Sequence, residues 1–204
     1  MLRSLSFLSW MLVPLVAGLV AASPVLADRA EHVERAGKEI PKTVEHPGAE
    51  TPLRLNGTGV MRRYFQDIYV AALYLPEREQ EAQAILGADD QVRRLELHFV
   101  FRRVGGDRFI SEFESGMEES LSGERLEVMR TAFETYRDAF ETDVVDGDVI
   151  TYDYHPGEGT RILLNGDEVA HIEDPLYFEA LLAMWIGEDA VDGDIRDGLL
   201  GVDG

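Results

Sequence analysis

Chemistry-bearing side chains are plentiful in this chain, but few are spaced to act together. The five histidines are His32, His46, His98, His155 and His171. None belongs to an HExxH motif, and the chain has no Cys to complete a Cys/His metal set. His98 falls on the polar side of an alternating stretch, where solvation or a cross-strand contact accounts for it. Asp143, Asp146 and Asp148 surround Gly147 like a fragment of a calcium loop. The Glu that closes such a loop at its twelfth position is missing, so a β-turn explains the spacing. There is no GxSxG elbow, no Cys pair, no GxGxxG and no phosphate loop. Nucleophilic hydrolysis, thiol exchange and nucleotide chemistry therefore have no support. With 39 Asp and Glu, no carboxylate pair stands out as an acid and its base. The expectation is no metal, no cofactor and no catalytic residue legible by motif.

Those 39 acidic residues face 19 Lys and Arg, a net charge of −20. A chain so acidic should be repelled by nucleic acid and by anionic membrane surfaces, and its charge serves solubility first. The first 27 residues read as a cleaved signal peptide. Arg3 is their only charge, an apolar run spans about Phe7 to Val20, and Val25 and Ala27 are small residues before a cut ahead of Asp28. The run is interrupted by Pro14 and is short for a bilayer span of roughly 20 residues. Export to the periplasm or exterior is expected, with no stable membrane insertion afterwards. The absence of Cys excludes a lipoprotein linkage.

The elements that must position any site begin after a polar lead-in, residues 28–51, read as flexible with one short regular piece; the domain itself is assigned to 52–204. Leu53-Arg54-Leu55 alternates as a strand, Asn56-Gly57-Thr58-Gly59 offers a bend, and Tyr64 to Leu75 is strand-like up to Pro76. Glu77 to Ala88 predicts a short helix. Arg93 to Val104 is the clearest strand, with Leu95, Leu97, Phe99 and Phe101 on one face. Asp107 is placed to cap a helix carrying Phe109, Phe113 and Met117 at i, i+4 spacing, ending at Gly123. A second helix carries Leu126, Met129, Phe133, Tyr136 and Phe140. Strands return over 148–155 and 160–164, and Asn165-Gly166 is the strongest hairpin signal in the chain. Asp174-Pro175 starts a last long helix through Trp185, and Ile195, Leu199 and Leu200 form a final apolar group. Strands, two helices, strands and a helix predict an α+β fold with an antiparallel sheet.

Four stretches, in order, resemble the bacterial branch of the chalcone isomerase-like family. They are Leu55-Asn56-Gly57-Thr58-Gly59-Val60 with Ile68 to Leu75; the Leu95 to Phe101 strand with its helix pair; Gly147-Asp148 through Asn165-Gly166; and Phe178 to Gly187. The resemblance implies an open-faced β-sandwich, a curved antiparallel sheet around a layer of helices, with a hydrophobic ligand held between them. Some members cyclise a chalcone to a flavanone and others look like fatty-acid-binding proteins. The cyclisation needs a cation and oriented donors at the ionised oxygen. The family's key Arg position falls on Met61, and its helix Tyr and Asn positions fall on Phe109 and Gly116. Arg62 and Arg63 follow Met61, and Arg63 shares parity with Tyr69 along an unbroken strand. Tyr69 matches the family's second polar position.

The reading is therefore a monomeric, non-catalytic, exported protein that binds a small hydrophobic molecule such as a fatty acid. Its candidate ligand-binding residues are Arg62, Arg63, Tyr69, Phe99, Phe109 and Phe113, with Phe133 behind them. Two alternatives stay open: an isomerase or intramolecular lyase acting on an enone, and a ligand-free envelope interaction protein. A cavity of roughly 300 Å³ or more under the sheet separates the first two readings from the last.

Overall fold

The computed structural model describes residues 31–202, so the leader expected over 1–27 lies outside the described residues. The chain opens with a hairpin, β1 (His32–Arg35) and β2 (Lys38–Pro41), followed by β3 (Thr43–Val44). Two long strands come next, β4 (Leu53–Arg63) and β5 (Gln66–Leu75), then helix α1 (Ala82–Leu86), β6 (Arg93–Phe99) and β7 (Arg103–Val104). The helices α2 (Gly106–Ser120) and α3 (Gly123–Tyr136) run into a 3-10 turn at Arg137–Phe140. Strands β8 (Val144–Val145), β9 (Val149–His155), β10 (Gly159–Leu164) and β11 (Asp167–Ile172) precede α4 (Pro175–Ile186) and α5 (Gly193–Leu199).

Seven strands form one antiparallel sheet in the order β11-β10-β9-β6-β5-β4-β3. This is the α+β architecture the element order predicts. One face of the sheet is covered by the helices. Leu73, Leu95, Leu97, Phe99, Ile150 and Tyr152 from the strands pack there with Phe133 and almost all of α4. Nine of α4's twelve residues are buried, so this helix lies inside the domain and needs no polar face. Its start behaves as its sequence predicts: the Asp174 carboxylate accepts from the Leu176 amide, with Pro175 in the first turn. The Asn165-Gly166 turn also forms as expected, with both residues at positive φ, 54° and 89°.

Several local readings change in three dimensions. Residues of the 28–51 lead-in supply β1, β2 and the edge strand β3. Ile40 is fully buried there with Leu53, Val70, Ala72 and Tyr74 on the sheet's second face. Helix α2 starts from Gly105, and Asp107 sits in its first turn, where a negative charge suits the helix dipole. Gly123, at φ +59°, opens α3 rather than closing α2. Asn56 to Gly59 is no bend: β4 runs straight through it, with one register shift between Leu55 and Gly57. The two glycines serve close approach. A Cβ on Gly57 would lie 2.1 Å from the Gly198 carbonyl oxygen, and one on Gly59 would lie 2.4 Å from the Ile195 side chain. Helix α5 can therefore lie directly on β4. Buried Asn56 clamps it, donating to the carbonyls of Glu79 and Leu199 while accepting from the Glu79 amide.

Candidate functional site

Between the helix-covered face and α2 lies a cavity of about 240 Å³. Its floor is a row set by sheet register. Met61 pairs with Tyr69, and Tyr69 pairs with Phe99, so three adjacent strands place these side chains together. Tyr69 would not belong to this row in a regular hairpin. The chain reverses at Tyr64-Phe65, so the expected unbroken strand from Arg63 to Tyr69 is two strands. In uninterrupted pairing Met61 would face Ile68 and Tyr69 would point to the opposite face. The pairs observed are Met61 with Tyr69 and Arg62 with Asp67, leaving Ile68 as an extra residue on β5. That bulge returns Tyr69 to the face of Met61 and Arg63.

The walls are aromatic. The Tyr69 and Phe99 rings are 5.6 Å apart, Phe99 and Phe109 5.9 Å, and Phe109 and Phe113 6.2 Å. Phe109 and Phe113 come from α2 at the i, i+4 spacing that keeps one helix face turned inward. Phe133 stands behind them, 4.8 Å from Phe113 and outside the lining. Met184 and Trp185 of α4 close the far side. Neither is legible from sequence as a cavity residue, because α4 is apolar on every side and its pattern marks no inward face.

One polar group stands on the floor. Trp185 Nε1 donates to the Tyr69 hydroxyl oxygen at 3.0 Å. An indole nitrogen only donates, so Tyr69 must accept, and its own O–H proton stays available to another acceptor. Burial pushes the Tyr69 pKa up to about 12, against the opposing effects of the Trp185 bond and the Arg63 charge. Near neutral pH the phenol is protonated and acts as a donor.

The open end is marked by half-buried Arg63 and by exposed Tyr64, Gln66, Arg103, Arg108 and Glu112. The Glu112 carboxylate lies 3.7 Å from Arg63 and 3.6 Å from Arg108, spanning from β4 to α2. Arg103 pairs with Asp143. Of the expected ligand residues, Arg63, Tyr69, Phe99, Phe109 and Phe113 all line the cavity. Arg62 does not. The strand's two-residue period turns it to the other face, where it donates to Asp67 at 2.8 Å. Met61, where the resemblance puts the family's key Arg position, is buried on the floor at 5% exposure. The positions matching the helix donors, Phe109 and Gly116, also line the cavity and bring no hydrogen-bonding side chain. Arg103 and Arg108 are site residues the sequence reading missed. Arg103, on β7, and Arg108, in the first turn of α2, reach the same cavity mouth as Arg63 only through the tertiary fold.

The aspartates around Gly147 disperse. Asp143 pairs with Arg103, Asp146 with Lys38 at 2.6 Å, and Asp148 accepts from the Val145 amide and the Asn165 side chain. His98 contacts Glu96 at 2.8 Å on the sheet's second face.

Comparison with known proteins agrees with this fold. A solved structure of a fatty-acid binding protein from Arabidopsis thaliana superposes with a TM-score of 0.63 at 17% identity, covering 83% of this chain and 96% of that one. At that identity the likeness speaks for the fold. No curated protein matches the chain. Residues 32–201 match the profile of the chalcone isomerase-like proteins, most of the chain from the first hairpin to the end of α5, and the chain belongs to that family.

Proposed function

We propose that this is an exported, non-catalytic, monomeric carrier of a small hydrophobic acid of the fatty-acid class. The observation that carries the reading is the polarity gradient of the cavity: aromatic walls, one phenol donor on the floor, and arginines at the open end. An apolar tail would gain by leaving water for the Phe99, Phe109 and Phe113 walls. A carboxylate head at the mouth would replace Glu112 on Arg63 and reach the free Tyr69 proton. The likeness to a fatty-acid binding protein points the same way. Catalysis on an enone has less to support it. The buried floor offers Met61 where a cation is needed, and a ring-closing reaction without a charge at the developing oxyanion loses its main stabilisation.

At about 240 Å³ the cavity is below the roughly 300 Å³ at which small-molecule sites begin. This favours a compact ligand, or a longer tail whose acid head stays in the mouth. It also gives weight to a second reading, an envelope interaction protein without ligand.

Native mass spectrometry of protein recovered from the periplasm, followed by organic extraction, tests the proposal. A co-purifying acid is expected. Arg63→Ala and Tyr69→Phe should each weaken its rebinding about tenfold, while Arg62→Ala leaves it unchanged. A clean apo mass, with no rebinding of fatty acids, would overturn the carrier and put the interaction protein first. Recovery from the cytoplasm with residues 1–27 intact would overturn export.

A further inference from the structure

The β4–β5 hairpin ends in Tyr64 and Phe65, 84% and 104% exposed. Both have positive φ, 50° and 67°. That is the geometry of the Asn165-Gly166 turn, which the chain builds from residues that tolerate it. At the β4–β5 tip the same conformation is forced on two bulky aromatic residues, at a cost in local strain. Strain and exposed rings together call for a use outside the fold.

The surroundings say what kind. Arg62 and Arg63 precede the turn, Arg103 and Arg108 line the adjoining mouth, and Arg102 lies next to Arg103 in the chain. Three carboxylates pair with them: Asp67 with Arg62, Glu112 with Arg63 and Arg108, and Asp143 with Arg103. With exposed Asp107 next to Arg108, five cations stand against four anions, a small local excess of positive charge in a chain whose net charge is −20. Exposed ion pairs of this kind are weak and exchange readily for phosphate. Charges further away than a Debye length, about 8 Å in physiological salt, are screened, so the tip's own balance governs a close approach. Aromatic rings flanked by arginines suit the boundary between lipid headgroups and acyl chains.

We infer that the Tyr64-Phe65 tip docks this protein on an anionic lipid bilayer surface. The tip is continuous with the cavity, since Tyr64 and Gln66 line its mouth. Docking therefore sets the opening against the bilayer, and an acid with an apolar tail passes between lipid and protein without crossing water. The docking stands on the tip alone; only this transfer role rests on the carrier reading. Net charge alone predicts repulsion from such a surface, so the docking depends on the local distribution.

Co-sedimentation of the full chain with phosphatidylglycerol/phosphatidylcholine vesicles, against phosphatidylcholine alone, tests the docking. The key variant is Tyr64→Asn with Phe65→Gly, which supplies the residues the turn prefers. It should fold at least as stably as the parent yet bind anionic vesicles at least about fivefold less. The N-terminal apolar run is common to both proteins, so the difference reports the tip. Because the chain has no Cys, Gln66→Cys with a polarity-sensitive fluorophore reads the tip directly, and a blue shift on anionic vesicles that fades with salt is expected. Equal vesicle binding by parent and variant would overturn the inference, as would equal binding to phosphatidylcholine alone. So would a parent dimer that the variant converts to monomer without any vesicle effect, since the tip would then be a self-association surface. Fatty-acid affinity measured without vesicles, on the same proteins, separates failure of docking from failure of the carrier.

Discussion

Two rows of side chains, five residues apart along β5 and β6, face opposite ways and do different work. On the helix-covered face Met61, Tyr69 and Phe99 line a cavity whose lone floor hydroxyl is held by Trp185. On the second face Tyr74, Arg94, Asp153 and Arg161 stand side by side across four strands. There Arg94 makes two bonds to Asp153, at 2.5 and 2.8 Å. Glu96 lies 3.4 Å from Arg94 and 2.8 Å from His98. The segment after β3 lays His46 over the row, 3.6 Å from Asp153. This second face joins its charged groups to one another, while the Tyr74 hydroxyl and His46 Nε2 stay buried without a hydrogen-bond partner among the described residues. The first face also buries Arg93, against the Tyr154 and Phe178 rings, and a Tyr136–Tyr177 hydroxyl pair, but these lie outside the cavity lining, whose buried part is apolar apart from Tyr69 and Trp185. A buried charge network stiffens a surface only when its members satisfy one another, whereas a row of rings can leave a gap without stranding a polar group.

The contrast can be broken in order of expected effect. Phe99→Ala should cost about 3–5 kcal/mol in denaturant unfolding, as for other large aromatic truncations in cores, and should also change ligand affinity by enlarging the cavity. Asp153→Asn should cost about 2 kcal/mol by removing the two shortest charge-assisted bonds to Arg94 and leaving it only the longer Glu96 contact, and should leave ligand affinity unchanged. An equal effect of the two variants on affinity would show that the faces are coupled. The smallest effect is one of pH. Burial, reinforced by Arg94, His155 and Arg161 and opposed by Asp153, lowers the His46 pKa below its ordinary value. On acidification the unfolded chain takes up this proton first. The His46 contribution should therefore be present above about pH 6.5 and lost as pH falls through that value towards the lowered folded pKa. Unfolding midpoints of the parent and His46→Gln at neutral and mildly acid pH measure it. A parallel pH response in the two proteins would remove His46 as the cause.

Much of the first face was readable in the chain. The alternation of Leu95, Leu97 and Phe99 and the spacing of Phe109, Phe113 and Met117 each name a buried side directly, because strand and helix periods act over neighbouring residues. Asn165-Gly166 and Asp174-Pro175 were legible for the same reason. The second face was not. His46 and Ile40 lie in a polar stretch with no period, and only its packing on the sheet makes them interior. Arg103 and Arg108 were invisible as site residues, since nothing local distinguishes an arginine at a cavity mouth from one in solvent.

The sequence by itself determined the α+β class, the family resemblance, and the apolar sides of β6 and α2, all properties of residue type and short-range spacing. Tertiary structure alone decided which arginine reaches the cavity, why Gly57 and Gly59 are small, and how Tyr69 joins the floor. Each depends on contacts between distant segments: a one-residue bulge at Ile68, the backbone of α5 against β4, and an indole 116 residues away from the phenol it orients.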